Sequence, residues 1–363
     1  MKRKTKTALI TVCLLLTATV VSAFAAAGGT SDPLASLSYL TGTFTDAVDR
    51  QVEEKLDASD QAIRTGASGT AGGAVSTWTE TRLKEGDVLT GSTGTGVLVL
   101  AGSGRVTFTG GAVVDVTTGT TVSSGASLSV NHRYLVAEDT TAAFTVTSKT
   151  AVVDYQGPYG FRYSGTTDYN AMAAALKTMH LFQGSFTGYG QGYDLEVAPT
   201  RMQALIMFIR VLGEEDEALA YTGTCPFKDV AAGSQSAKYA GYAYSKGYTN
   251  GYSADTFRPS QTVTASQFVE FILRALGYSS VETSNLSQTL SKALDNGVIT
   301  QGELAALQSG SFLRADLVYV SYYALDAVVA GSGSTLRETL LDKGIFTAGE
   351  ARQAAAMVTS QRK

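Results

Sequence analysis

The sequence is poor in residues that carry metal binding and redox chemistry. Its 363 residues include only two cysteines and two histidines. Cys13 lies in an N-terminal segment typical of an export leader, so Cys225 has no partner for an intramolecular disulfide. His132 and His180 have no neighbours at metal-ligand spacing. His132 is more simply interpreted as a satisfied histidine in a turn, and His180, at the end of a repeat helix, as a C-terminal cap. The sequence therefore predicts no metal ion and no cofactor.

Charge and catalytic motifs are also scarce. Charged residues make up 17% of the chain. No Gly-x-Ser-x-Gly nucleophile turn and no phosphate-binding Gly-x-x-x-x-Gly-Lys-Ser/Thr loop is present. The acidic run from Glu214 to Glu217 could be mistaken for the carboxylate pair of a glycosidase, but adjacent carboxylates on one turn cannot face each other across a sugar. The run is therefore predicted to be a solvated turn. We therefore expect a protein that is not an enzyme.

The first 27 residues are typical of a secretory signal peptide (1–27). Four basic residues precede an apolar stretch from 8 to 21, and Ala23-Phe24-Ala25 matches a small-x-small cleavage site. The apolar stretch is short for a retained membrane anchor, so cleavage and secretion are predicted. Loss of the four basic residues makes the formal net charge of −4 more negative by four. A nucleic-acid partner is therefore not expected.

Three segments are predicted between the leader and the C-terminal half. Residues 31–63 are predicted to form an acidic amphipathic helix, either a coiled-coil stalk or a helix docked on the next domain. Residues 64–77 are rich in Gly, Ala, Ser and Thr and are predicted to be a linker. Residues 78–160 alternate short apolar runs with Gly-, Ser- and Thr-rich turns, which predicts an all-β domain of sandwich or jelly-roll type. Trp78 is expected to be a core anchor or a lid.

The C-terminal half contains an internal repeat. Residues 199–213 and 263–277 carry the same pattern, 64 residues apart. In each copy a Thr is followed three residues later by a Gln, which predicts a capping box at a helix start. Apolar residues then recur at helical spacing up to a closing Gly. A degraded third copy, residues 313–325, lacks the Thr but keeps Arg314 in register with Arg201.

A shorter predicted helix precedes each copy, so the repeated unit is helix, loop and capped helix. Units of this size cannot bury their apolar face alone, and three consecutive units are predicted to stack into one all-α module. The shorter helices are predicted at 172–179, 237–245 and 286–294. The units span residues 165–222, 223–281 and 282–350.

The second unit carries further motifs. Pro226-Phe227-x-Asp229 is followed by Lys246-Gly247-Tyr248-x-Asn250-Gly251 and then by Phe257-x-Pro259. With the capped helix, these motifs resemble an S-layer homology (SLH) repeat, whose hallmark is a Thr-Arg-Ala-Glu tetrad at the start of the second helix. The resemblance covers residues 165 to 350. It implies binding to the secondary polysaccharide of a Gram-positive-type cell wall, commonly one with acidic pyruvyl groups, and anchoring outside the cell.

The tetrad position suggests a site chemistry. A cation in the first turn of a helix opposes the helix dipole, so Arg201 and Arg314 need a reason to be there. Free amides with a guanidinium group form an anion site suited to an acidic sugar. Alternatively, each Arg pairs with a carboxylate of a neighbouring unit, Asp229 for instance, and ties the module together. The second unit has Ala265 at this position, which predicts a weak or silent site. The predicted polymer-binding residues are Thr200, Arg201, Gln203, Asp229, Lys246, Asn250, Thr264, Gln267, Arg314 and Asp316.

Together these features predict a multidomain protein with an N-terminal helix, an all-β domain and a C-terminal all-α module of three SLH-like repeats. The predicted function is non-covalent attachment to acidic cell-wall polysaccharide, with the β-domain displayed at the cell surface. The alternative is a wall-targeted carbohydrate-active enzyme or its binding subunit, with the β-domain as the catalytic or sugar-binding module. Self-association into a surface array stays open.

Overall fold

The computed structural model describes residues 71–184 and 192–363. The predicted leader (1–27) and the predicted amphipathic helix (31–63) lie outside these residues. Within the described part, strands come first along the chain and helices follow. The strands are β1 (Ala71–Lys84), β2 (Val88–Ser92), β3 (Gly96–Ala101), β4 (Gly104–Phe108), β5 (Ala112–Asp115), β6 (Thr120–Val122), β7 (Arg133–Ala137), β8 (Thr141–Val146) and β9 (Thr150–Arg162).

The strands pair antiparallel in one curled sheet. β1 runs along one edge of β9, while β3 and β2 share the opposite edge. The sheet continues from β3 through β7, β5 and β6, and from β2 through β8 and β4. The predicted all-β region is confirmed, but it is one continuous sheet and not the predicted sandwich or jelly roll.

Gly157 accounts for part of the curl. It lies in β9 between Gln156, which pairs with β3, and Tyr159, which pairs with β2. Its φ is 98°, a conformation that side chains with a Cβ rarely adopt. A Cβ on this residue would also lie 2.8 Å from the carbonyl oxygen of Gly94. Glycine therefore lets β9 change partners, and one sheet folds around its own apolar cluster, which includes Val97, Val106 and Val136.

The predicted linker, residues 64–77, is partly wrong because β1 begins at Ala71. From Ala71 opposite Phe161 to Lys84 opposite Thr150, β1 is held by β9, with a register shift after Val75. Small residues gave no strand signal, since pairing with a distant strand is what extends this segment. Trp78 is 37% exposed and packs on the backbone of Gly96, with the Arg133 guanidinium 4.9 Å from its ring.

The helices follow the predicted order with four additions. No helix within the described ranges combines the length and apolar character that a membrane crossing requires. The helices are α1 (Tyr169–Thr178), α2 (Arg201–Val211), α3 (Glu215–Ala220), α4 (Gln235–Ser245), α5 (Ala265–Ala275), α6 (Thr289–Asp295), α7 (Gln301–Gln308), α8 (Arg314–Ala324), α9 (Leu336–Asp342) and α10 (Ala348–Met357). The additions are α3, α7, α9 and α10, and the last three each begin with a Thr-x-x-Glu capping box.

The repeated helices α2, α5 and α8 form the centre of the helical part. Each of the three contacts the other two, and α1 packs against α8 and α10. Phe208 of α2, Phe268 of α5 and Val318 of α8 are fully buried in one shared apolar cluster. The expected stacking of three units is therefore a triangle of capped helices around a common core.

The sheet is attached to this triangle by buried polar contacts. Arg82 of β1 pairs with Glu196, which precedes α2, at 2.6 Å, and both side chains are 7% exposed. Lys149, between β8 and β9, reaches Asp316 of α8 at 2.6 Å. The segment between β9 and α1 is held as well, because Ser164 donates its amide to the carboxylate of Asp87. The sheet and the helices therefore form one packed unit.

Candidate functional site

The starts of α2, α5 and α8 determine how the units meet. The predicted capping boxes at α2 and α5 are confirmed. Gln203 accepts from the Thr200 amide at 2.9 Å and returns its own amide to the Thr200 hydroxyl at 3.2 Å. Thr264 and Gln267 repeat the exchange at 3.2 and 3.3 Å. α8 has no Thr, and Asp316 supplies half of a box by accepting from the N-cap amide. The backbone amides of the first two helical residues, which follow the N-cap, have no acceptor within their own helix and need one from elsewhere.

At α2 those acceptors come from the second unit. The amide of Arg201 donates to the carbonyl of Gln261 at 2.7 Å, and that of Met202 donates to the carbonyl of Pro259 at 3.1 Å. Because both carbonyls belong to the segment just before α5, the first junction is closed by backbone hydrogen bonds.

The start of α8 is closed in the same register by the first unit. The amide of Arg314 donates to the carbonyl of Val197 at 2.9 Å, and that of Ala315 donates to the carbonyl of Leu195 at 3.0 Å. As at the first junction, the two acceptors lie three and five residues before the N-cap of the unit that supplies them.

The start of α5 is different. Within residues 71–184 and 192–363, no acceptor bonds to the amides of Ala265 and Ser266. By the register of the two closed junctions, the acceptors would be the carbonyls of Gly310 and Gln308 in the third unit. The third unit folds the preceding residues into α7, which ends at Gln308. The junction between the second and third units is therefore open.

A groove of about 580 Å³ occupies this open junction. The start of α5 forms one side, and α6 with the segment after α7 forms the other. Hydroxyl groups and apolar side chains alternate along it, and Leu286 at its rim is 46% exposed. Its hydroxyl-bearing residues are Thr262, Thr264, Ser266, Ser287, Ser291 and Ser311.

The comparison with family models identifies the second unit. The model of the S-layer homology domain matches residues 226–269, from the start of the second unit into α5. The chain contains an S-layer homology domain. A search of the curated proteins found no match. S-layer homology domains attach proteins to cell-wall polysaccharide, which implies that this chain is associated with the cell surface.

The predicted anion site at Arg201 is not formed in the structure. Its amide is bonded to Gln261, and its side chain is 7% exposed. The guanidinium donates to the carbonyl of Gly251 at 3.2 Å and lies 4.8 Å from the ring of Phe257. Burial, followed by the charge of Arg274, lowers the pKa of Arg201 to about 10. This Arg joins the first unit to the second, the role that the alternative interpretation gave it, although its partner is not Asp229.

Arg314 and Asp316 also have partners inside the chain. The Arg314 guanidinium lies 3.4 Å from the carboxylate of Asp194 in the first unit, and its amide is bonded to Val197. Asp316 accepts two bonds of 2.6 Å from Lys149 of the sheet. The argument from the residues for an acidic polymer rested on the guanidinium groups of Arg201 and Arg314, and with both engaged it loses its basis. The family resemblance, which also implies acidic groups, is not affected by these contacts.

Three further predicted residues belong to the second unit: Asp229 holds a loop in place, whereas Lys246 and Asn250 are exposed. Asp229 accepts the amides of Phe257 and Arg258 at 2.8 and 2.7 Å, which fixes the loop of the second unit. Lys246 and Asn250 are exposed on the turn after α4, away from the groove lining. Among the ten predicted residues, Thr264 is the one that lines the groove.

The acidic run is not the predicted solvated turn. The carboxylate of Glu214 accepts from the hydroxyl groups of Tyr242 and Tyr248, and Glu215 accepts from Arg210 at 2.8 Å and from Tyr239. Burial acts to raise the pKa of Glu215, but the hydrogen bonds from Arg210 and Tyr239 outweigh it and leave that pKa below its ordinary value. These carboxylates tie α3 to α2 and α4 and do not form a sugar-cleaving pair.

Both histidines have hydrogen-bonding partners, which agrees with the interpretation of His132, whereas His180, predicted to be a helix C-terminal cap, bonds to a side chain of α10 instead. His132 Nδ1 lies 2.7 Å from the carboxylate of Asp115, and His180 Nε2 lies 2.9 Å from that of Glu350. In the described part of the chain, no three His, Cys, Asp or Glu side chains are placed to hold a metal ion.

The sequence contained one signal for the groove that the prediction did not use. Thr300 and Glu303 form a capping box at α7, and Gly310 has a φ of 91°. Together they mark a helix where the second unit has an extended loop. The lining residues Ser287 and Ser291 carry no motif, because they become neighbours of α5 only when the units pack.

Proposed function

We propose that this protein is held non-covalently at the cell wall by polysaccharide bound in the groove between the second and third units. The observation that carries the proposal is the open start of α5. Two equivalent junctions use their amides to bind the next unit, whereas this one leaves two amides beside a groove. The SLH match over residues 226–269 supports attachment to a wall polymer.

The groove has the features that sugar binding requires. Its volume of about 580 Å³ falls in the range of small-molecule sites, roughly 300–1,000 Å³. Hydroxyl groups can exchange hydrogen bonds with sugar hydroxyls in either direction. The side chains of Leu286, Leu290 and Phe312 offer apolar surface for the C–H faces of a sugar ring.

Export and display complete the proposal. The basic and apolar pattern of residues 1–27 supports secretion through a cleaved leader. The remaining N-terminal segment and the sheet are then presented outside the cell by a non-enzymatic protein. Edman sequencing of the exported protein tests this part: a first residue close to Ala26 is expected, and an intact N-terminus would contradict cleavage.

Cosedimentation of the purified chain with isolated cell walls tests the groove. The double variant Ser287→Leu/Ser291→Leu fills the groove from α6 and from the segment just before it, and should weaken binding about tenfold or more by removing hydrogen bonds and space. Gln235→Leu is the matched control, because Gln235 is exposed on α4 and does not line the groove. Wild-type affinity of a folded double variant, with its circular dichroism unchanged, would reject the groove as the binding site.

One observation bears on the alternative of a wall-degrading enzyme. Glu80 of β1 and Asp154 of β9 are directly paired across the sheet. Burial, with a further contribution from Glu80, raises the pKa of Asp154 above its ordinary value. A pair of neighbouring carboxyl groups, one of them with a raised pKa as general acid, is what glycosidases use. A zymogram on purified wall decides: a lytic band that disappears with Asp154→Asn would replace the non-enzymatic proposal.

A further inference from the structure

The groove carries no charge. Within residues 71–184 and 192–363, its lining contains no Asp, Glu, Lys, Arg or His side chain. At the two closed junctions the first helical residue is Arg201 or Arg314, but at the start of α5 it is Ala265. A bound carboxylate or phosphate would therefore lose water without gaining a cationic partner, which is unfavourable.

The amides at the start of α5 do not by themselves demand an anion. At both closed junctions the equivalent amides donate hydrogen bonds to uncharged carbonyl oxygens, at 2.7 to 3.1 Å. An uncharged acceptor oxygen at the same two positions of α5 reproduces a geometry that this fold already uses twice. A sugar hydroxyl or an acetamido carbonyl supplies such an oxygen.

A second cleft is lined by cationic side chains, but these already form ion pairs within the protein. It measures about 170 Å³ at the junction of the first and third units and is lined by Arg210 and Arg314. The first of these guanidinium groups pairs with Glu215 at 2.7 Å and the second with Asp194 at 3.4 Å. Both cations are already neutralised inside the protein.

We propose that the groove binds an uncharged stretch of glycan, with hydroxyl or acetamido oxygens on the amides of Ala265 and Ser266, and that acidic substituents of the wall polymer are not what it recognises. This inference rests on the proposed function, because it specifies the ligand of the same groove. It predicts that binding is insensitive to the charge of the polymer and to salt.

The test varies the charge on both sides of the contact. The full chain is titrated with isolated wall polysaccharide before and after mild acid removal of its ketal-linked carboxylates. The same titrations are made with Ser291→Lys, Ser291→Glu and Ser291→Gln, since Ser291 is exposed on α6 and lines the groove. Circular dichroism checks that each variant is folded.

For an uncharged ligand, stripping should change the dissociation constant by no more than about twofold, and the Lys and Glu variants should bind equally, because no ligand charge interacts with the introduced one. Loss of binding on stripping, or a Lys variant that binds about tenfold or more tightly than the Glu variant, would overturn this inference and leave the groove as the site. Absence of binding to either polymer by the wild-type chain would overturn the proposed function itself.

Discussion

The ion pair between Arg82 and Glu196 should decide whether the sheet and the helical module unfold together. The two groups are 2.6 Å apart and each is 7% exposed. Removing one partner of a buried pair typically costs about 3–5 kcal/mol, because the remaining charge stays buried. In Glu196→Gln, Arg82 keeps its bond of 2.7 Å to Asn170 and lies 5.4 Å from the ring of Tyr193. We therefore expect a loss near the lower end, about 3 kcal/mol.

Two probes report the two parts separately during denaturation. Trp78 is the single tryptophan of the chain, and its fluorescence follows the sheet. Circular dichroism at about 222 nm follows the helices, which give the dominant signal there. The wild-type transitions should coincide, and Glu196→Gln should move the midpoint of both to lower denaturant concentration.

A matched control separates burial from charge. Lys228 and Asp255 form an ion pair of 3.1 Å whose side chains are 81% and 50% exposed. Lys228→Gln should give no measurable change in stability, because water screens exposed pairs. The reasoning is refuted if Glu196→Gln is as stable as Lys228→Gln, or if the fluorescence and dichroism transitions of the wild type are already separate.

Three further predictions use the same denaturation assay. Arg201→Ala should lower the free energy of unfolding by about 2–5 kcal/mol, because it leaves a cavity between aromatic rings. Arg201→Met keeps most of the packing and should lower the free energy of unfolding by less, and equal losses in the two variants would argue against packing. Glu215→Gln should lose about 1.5–3 kcal/mol. Because the pKa of Glu215 is lowered in the fold, its stabilisation is present above its ordinary pKa of 4.5 and is lost as the pH falls through the folded value. The variant should therefore show a weaker loss of stability between about pH 5 and 3, whereas exposed Glu217→Gln should match the wild type. Thr264→Ala should lose about 1 kcal/mol with its cap, and an unchanged midpoint would contradict that role.

Much of the helical fold was predictable because its signals are local. Thr200 and Thr264 lie three residues before their Gln partners, so a capping box specifies where α2 and α5 begin without reference to other units. The strand β1 was not predictable in the same way. Its first four residues, 71–74, are Ala and Gly, which have little strand preference, and β9, more than sixty residues away in the chain, holds them extended.

The site was harder to predict than the fold because its determinants are contacts between units. The sequence shows that Arg201 is present, but not that Gly251 and Phe257 of the next unit cover it. Nor does it show which junction stays open, since that depends on α7 replacing an extended loop. The substitution of Ala265 for Arg was visible, and it was interpreted as a silent site. The structure gives that position the open groove.

The attachment of the sheet to the helices has a mechanical consequence. If the N-terminal side of the protein is pulled while the groove holds the wall, tension leaves the sheet through Arg82 to Glu196 in the first unit and through Lys149 to Asp316 in the third. The segment between β9 and α1 cannot act as a flexible linker that absorbs this tension, because the amide of Ser164 is hydrogen-bonded to the carboxylate of Asp87. The force is then shared between the first and third units before it reaches the bound polymer, so no single helix of the triangle carries the whole load.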